Sequence, residues 1–163
     1  MRVGITGHQR LSSDADWEWV EQQINDSLSS LSGSLIGFTS LALGGDQLFA
    51  EIVLKRGGSF VVIVPFANYE SKFDEGAGRE TYKRLLAQAS IVEVLKGATN
   101  REAYFKAGKQ VVNRSELVIA VWDGKPAAGL GGTADAVDYA RQCGTPIVHL
   151  NPVSRTVSKI NYD

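Results

Sequence analysis

"ELVIAVWDGKPAAGLGGTADAVDYARQCGTPIVHL", residues 116–150, contains one full turn of a pattern that recurs along the chain. Residues 116–122 form a near-continuous apolar run, as expected of a strand covered on both faces. A small loop begins at Asp123-Gly124, and Gly131-Gly132-Thr133 opens an alanine-rich helical pattern that stops at Gly144. Another apolar strand, 146–150, comes directly afterwards. Strand, helix and strand without a hairpin turn imply a right-handed crossover between parallel strands.

Outward from this unit the alternation continues. Strands are predicted at 2–6, 35–43, 60–65 and 90–95, with helices at 14–31, 45–58, 78–89 and 100–115. In the first helix Trp17, Val20, Ile24, Leu28 and Leu31 fall at three- and four-residue spacing, and Ser13 or Asp14 is placed to cap it. The tail after residue 150 has no strong periodicity and is read without an element. The expected fold class is α/β: a three-layer Rossmann-like open parallel sheet of about six strands, helices on both faces, in a single domain over 1–163.

Bulk composition narrows the function. Hydrophobic residues make up 44% and charged residues 21%, and 17 basic against 18 acidic side chains leave a net charge of −1. Neither duplex DNA nor an anionic membrane is favoured by that balance. The one cysteine, Cys143, excludes an intramolecular disulfide framework and is expected to be a packed thiol late in a helix. His8 and His149 are too far apart in the sequence to suggest a metal-ligand cluster, so no metal site is expected. No apolar run approaches the ~18–20 residues of a membrane span. The start runs straight into a strand, without signal-peptide architecture, and a cytoplasmic location is the expectation.

Ligands of open parallel sheets bind beyond the carboxyl ends of the strands. The residues just past each strand are therefore informative. Gly7, His8 and Arg10 follow the first strand, Gly44, Gly45 and Asp46 the second, and Asp123 the fifth, leading into Gly131, Gly132 and Thr133. The last three form the best phosphate candidate, because free amides at a helix amino terminus attract an anion and the threonine hydroxyl adds a donor. Asp46 is read first as a cap of its own helix, with a ribose hydroxyl as the second reading. No dinucleotide fingerprint or P-loop is present.

Three blocks, "GITGHQRL", "LALGGDQLFAEIVLKRG" and "NRSELVIAVWDGKPAAGLGGTADAVDYARQCGTPIVHLNP", resemble the SLOG superfamily of Rossmann-like nucleotide-binding proteins. That superfamily includes Lonely-guy phosphoribohydrolases, DNA-processing proteins, molybdenum-cofactor carriers and the YpsA-like proteins, and the YpsA-like members are the nearest in pattern. The resemblance implies a nucleotide or nucleotide-derived ligand, such as a nucleoside phosphate or an ADP-ribose-like molecule, bound as signal or cargo. It places Gly7, His8 and Arg10 on one wall, Gly44, Gly45 and Asp46 on a second, and the phosphate at Gly131, Gly132 and Thr133. Gln9 stands where the pattern has arginine, which would displace Arg10 by one place.

The hydrolase branch carries P-G-G-x-G-T-x-x-E. Here Ala128 stands at its proline, Leu130 in a glycine slot and Ala136 at the glutamate, so the catalytic residues are unknown. Asp135 and Asp138 are rotated about 100° and 200° away on the helix. Glu70 and Glu80 remain as substitutes from another element. The alternatives are a nucleoside 5′-monophosphate N-glycosidase and a molybdenum cofactor carrier. No cofactor is implied beyond a bound nucleotide, and nucleic acid ranks lowest among partners. A homodimer is expected through Trp19, which lies off the core stripe and is read as exposed; Tyr104 and Phe105 share that ambiguity.

Overall fold

The first strand is where the sheet changes direction. Strand β1 (Arg2–Gly7) lies between β2 (Ile36–Thr39) and β5 (Leu117–Val121). A computed structural model describes residues 1–126 and 130–163. From β1 the chain winds through β2, β3 (Ser59–Val64) and β4 (Ile91–Val94) toward one edge. It then returns to β5 beside β1 and continues to β6 (Ile147–Asn151) and β7 (Thr156–Ile160), giving the order β4-β3-β2-β1-β5-β6-β7. β1 to β6 are parallel.

The sheet has seven strands where about six were expected. β7 pairs antiparallel with β6 after a tight turn, with Arg155 at φ 54. Its residues 156–159 are exposed on both faces, so no alternating apolar signal marks it in the sequence. β2 is shorter than the apolar run 35–43, because Leu41 turns into the left-handed region at φ 54.

Helices α1 (Asp14–Ser29), α2 (Gly45–Lys55) and α3 (Ala77–Gln88) cover one face; α4 (Asn100–Asn113) and α5 (Thr133–Gln142) cover the other. Successive strand residues serve the two layers alternately. Ile119 and Val121 of β5 join the cluster holding Ile24 and Phe49, while Val118 and Ala120 pack on Val137 and Ala140. Each large side chain so buried contributes about 1.5–3 kcal/mol. Ser13 caps α1, its Oγ accepting from the Asp16 N–H at 3.3 Å. Among the described residues no helix is long and apolar enough to cross a membrane.

Two side chains depart from expectation. Trp19 is half-buried and packs against the core, because the helix lies close enough to its neighbours to cover more than the narrow stripe. Cys143 is exposed, since it is the C-cap of α5 and falls beyond the buried stripe of Ala136, Val137 and Ala140.

Candidate functional site

The reversal between β1 and β5 opens a crevice at their carboxyl ends, and a cavity of about 700 Å³ lies there. Its floor and walls come from the segments that leave the parallel strands. Gly7 ends β1 and His8 follows it, Asp46 lies in the first turn of α2, Tyr69 follows β3, and Trp122 and Asp123 follow β5. Tyr104 and Phe105 of α4 form an aromatic wall, and Gly131, Gly132, Thr133 and Ala134 close the side at α5.

The β1 and β5 loops are joined across the crevice. The His8 N–H donates to the Val121 carbonyl at 3.0 Å, and the Asp123 N–H donates to His8 Nε2 at 3.0 Å. The 3.4 Å approach of Nε2 to Asp123 Oδ1 becomes an ion pair only on protonation. Partial burial works to raise the Asp123 carboxyl, but the Lys125 N–H and the adjacent His8 outweigh it and hold the group below the ordinary carboxylate range.

Asp46 does not cap its own helix. Its Oδ2 reaches backward and accepts from Thr39 Oγ1 and the Ser40 N–H, both at 3.1 Å, and from the Ala42 N–H at 3.4 Å. The carboxylate thereby ties down the loop that leaves β2. Burial pushes this acid up to about 6, only partly countered by those three bonds. Nearby, burial and the Asp46 charge together push the Tyr69 phenol well above its ordinary value.

Not every predicted site residue lines the cavity. Gly44 and Gly45 sit behind it. Gly44 has φ +80, and a Cβ there would stand 2.6 Å from the carbonyl oxygens of both His8 and Gln9. The Gly45 N–H donates to the His8 carbonyl at 3.3 Å. The missing side chain of Gly44 and the Gly45 N–H thus bring the β2 loop against the β1 loop. Arg10 is exposed and faces a separate depression of about 390 Å³, from which His8 and Asp123 divide the main cavity.

At α5 the Gly131 N–H is already taken, donating to Asp135 Oδ2 at 2.7 Å. Gly132 is the N-cap and has no side-chain cap bond. Among the described residues nothing accepts from the Thr133 or Ala134 N–H. Ala136 lines the cavity with its methyl group. Asp135 is engaged by Gly131 and Asp138 faces Arg141. Glu70 is engaged by Arg79, and Glu80 stands near Lys83 on the outside of α3. Among the described residues the carboxylates that line the cavity are Asp46 and Asp123. The proline-slot position, Ala128, lies outside the described residues.

The aromatic wall has no counterpart among the residues predicted from sequence. Tyr69 sits at the centre of an edge-to-face group, with ring centroids 5.8 Å from Phe66, 5.2 Å from Phe73, 5.5 Å from Tyr82 and 6.1 Å from Tyr104. The connection 66–78 that carries it includes a 3-10 turn at Tyr69–Lys72. The only signal is the density of aromatics in a stretch without helical or strand period.

Strand order and crevice define a Rossmann-like open α/β protein whose winding reverses between β1 and β5. No protein-family model matches the chain, and no curated protein matches its sequence. Solved structures share its fold. DNA processing protein A from Helicobacter pylori, described for its single-stranded DNA binding, aligns with TM-score 0.61 at 15% identity over 91% of this chain and 64% of that one. DNA processing protein A from Streptococcus pneumoniae aligns with TM-score 0.66 at 16% identity, over 91% of this chain and 49% of that one. The molybdenum cofactor carrier protein from Chlamydomonas reinhardtii aligns with TM-score 0.50 at 16% identity, over 92% and 76%. This chain thus spans about half to two thirds of the two DNA processing proteins. Its structural neighbours include two of the groups that its motifs resemble, and what is shared with them is the fold.

Proposed function

We propose that this chain is a SLOG-type protein that binds a nucleotide or nucleotide-derived molecule in the switch-point cavity, as sensor or carrier. The observation that carries the reading is one cavity combining an aromatic wall, Tyr69, Tyr104 and Phe105, with the amides of Thr133 and Ala134 at a helix start. A planar base has π-faces to meet, and a phosphate has donors and a helix dipole to meet. A volume of about 700 Å³ lies in the range of small-molecule sites. Lys72 and Lys125 at the rim add positive charge for an anionic ligand.

Surface charge supports a small ligand over a nucleic acid. Lys83, Arg84 and Arg114, from the two most basic segments, each face a carboxylate, Glu80, Glu51 and Glu93 respectively. Lys109 lies over the Phe105 ring at 4.7 Å. Such contacts draw these cations onto protein groups instead of leaving them aligned as a track for a phosphate backbone.

The test is native mass spectrometry of the purified protein, followed by calorimetric titration with ribonucleoside 5′-monophosphates. A co-purified or saturably bound nucleotide is expected. Failure to bind any nucleotide, with a coloured, molybdenum-containing preparation instead, would replace the reading with that of a cofactor carrier.

A further inference from the structure

The Asp46 side of the cavity is built for something other than phosphate. Asp46 is only 6% exposed, so its carboxylate is held in the protein and not free to turn into solvent. Oδ2 is fully committed to Thr39, Ser40 and Ala42. Among the described residues Oδ1 makes no hydrogen bond. Yet among the described residues no side-chain oxygen is both buried and unpartnered, so Oδ1 is open, and Asp46 lines the cavity. The Tyr69 hydroxyl is in the same position: the residue is 5% exposed, lines the cavity, and its oxygen has no partner among the described residues. Two polar oxygens on nine-tenths-buried side chains that line the same cavity, and that feel each other electrostatically, thus have no protein partner among the described residues.

Their chemistry selects the ligand group. A carboxylate accepts hydrogen bonds and repels anions, while a phenol can both donate and accept. We propose that Asp46 and Tyr69 form a hydroxyl-reading subsite, which takes the vicinal diol of a ribose and excludes a deoxysugar or a sugar carrying a second phosphate there. This rests on the nucleotide reading above and specifies its sugar. Sheet order separates the two ends of the ligand. The start of α5 belongs to the loop after β5, whereas Asp46 belongs to the segment after β2, two strands away across β1. Two strand spacings amount to roughly 10 Å. A pentose 5-phosphate with a hydrogen bond at each end bridges such a span, phosphate at Thr133 and hydroxyls at Asp46. The anion-repelling carboxylate and the anion-attracting helix start thus fix one orientation for the ligand.

The experiment titrates the wild-type chain with AMP, GMP, CMP and UMP and with their 2′,3′-dideoxy counterparts. For whichever ribonucleotide binds best, the dideoxy form is expected to bind at least about tenfold more weakly, as for loss of a hydrogen bond to a charged group. Asp46→Asn keeps an oxygen for Thr39, Ser40 and Ala42 but points an amide into the cavity, and should flatten that ratio. Tyr69→Phe removes one oxygen only and should reduce it in part. Equal binding of ribo and dideoxy forms by the wild-type chain overturns the subsite while leaving the nucleotide reading intact. No binding of any of the probes overturns both.

Discussion

Replacing Asp46 by asparagine should make the protein more stable at neutral pH, which is the reverse of what removing a buried, triply bonded carboxylate ordinarily does. Burial lifts its folded-state pKa from 3.8 to about 6. A raised acid stabilises the fold fully below the unfolded value and loses that contribution as pH climbs through the folded one. The window is therefore about pH 4 to 6, and above it the native state carries the cost of an ionised buried group. Two pKa units correspond to about 3 kcal/mol. The asparagine of the variant is neutral at every pH and still accepts from Thr39, Ser40 and Ala42. Urea unfolding of both proteins at about pH 4 and about pH 7.5 gives the four free energies required. The two should match closely at the acid end, and the variant should lead by up to about 3 kcal/mol at the neutral end. A gap that does not change with pH, or a variant weaker at neutral pH, refutes the reasoning. A variant more stable at neutral pH would set Asp46 apart from residues that serve folding alone, in keeping with the proposed hydroxyl-reading role.

Other consequences are direct. Gly44→Ala must place a methyl group 2.6 Å from two carbonyl oxygens at φ +80, so it should cost roughly 2–4 kcal/mol in chemical unfolding. Incubation with ribonucleoside 5′-monophosphates should release no free base by chromatography, because Ala136 presents a methyl where the hydrolases have glutamate; release at an enzyme-like rate would instead assign Asp46 or Asp123 as the acid. Single-stranded DNA should bind weakly if at all in a polarisation assay, and steep salt dependence with tight low-salt binding would show that the paired basic residues had been underrated.

Much of this is legible in the sequence because it depends on local pattern. Buried parallel strands such as 117–121 announce themselves as apolar runs, and Gly44, Gly131 and Gly144 mark turns that need positive φ. Parallel pairing comes from the crossover connections, and it gathers the loops after β1 and β5 at one edge of the sheet. What escapes depends on side chains meeting at long range. β7 has no buried face to leave an alternating pattern. Asp46 reads as a helix cap at the start of α2, and only the folded loop shows it bonding backward to Ser40 and Ala42. Gly44 and Gly45 read as a second ligand turn, whereas the small size of Gly44 serves loop packing against His8 and Gln9. Tyr69 and Tyr104 lie on separate elements, and nothing in their spacing predicts that they share a wall.

The most direct test of the central claim follows backbone amide resonances of the isotope-labelled protein during titration with the ribonucleotide that binds best. The account predicts that the Thr133 and Ala134 amides move on saturation with the nucleotide and stay nearly still with the corresponding nucleoside, which lacks the phosphate. A nucleotide that binds without moving them, or that moves Arg10 and its neighbours in the second depression instead, would contradict it.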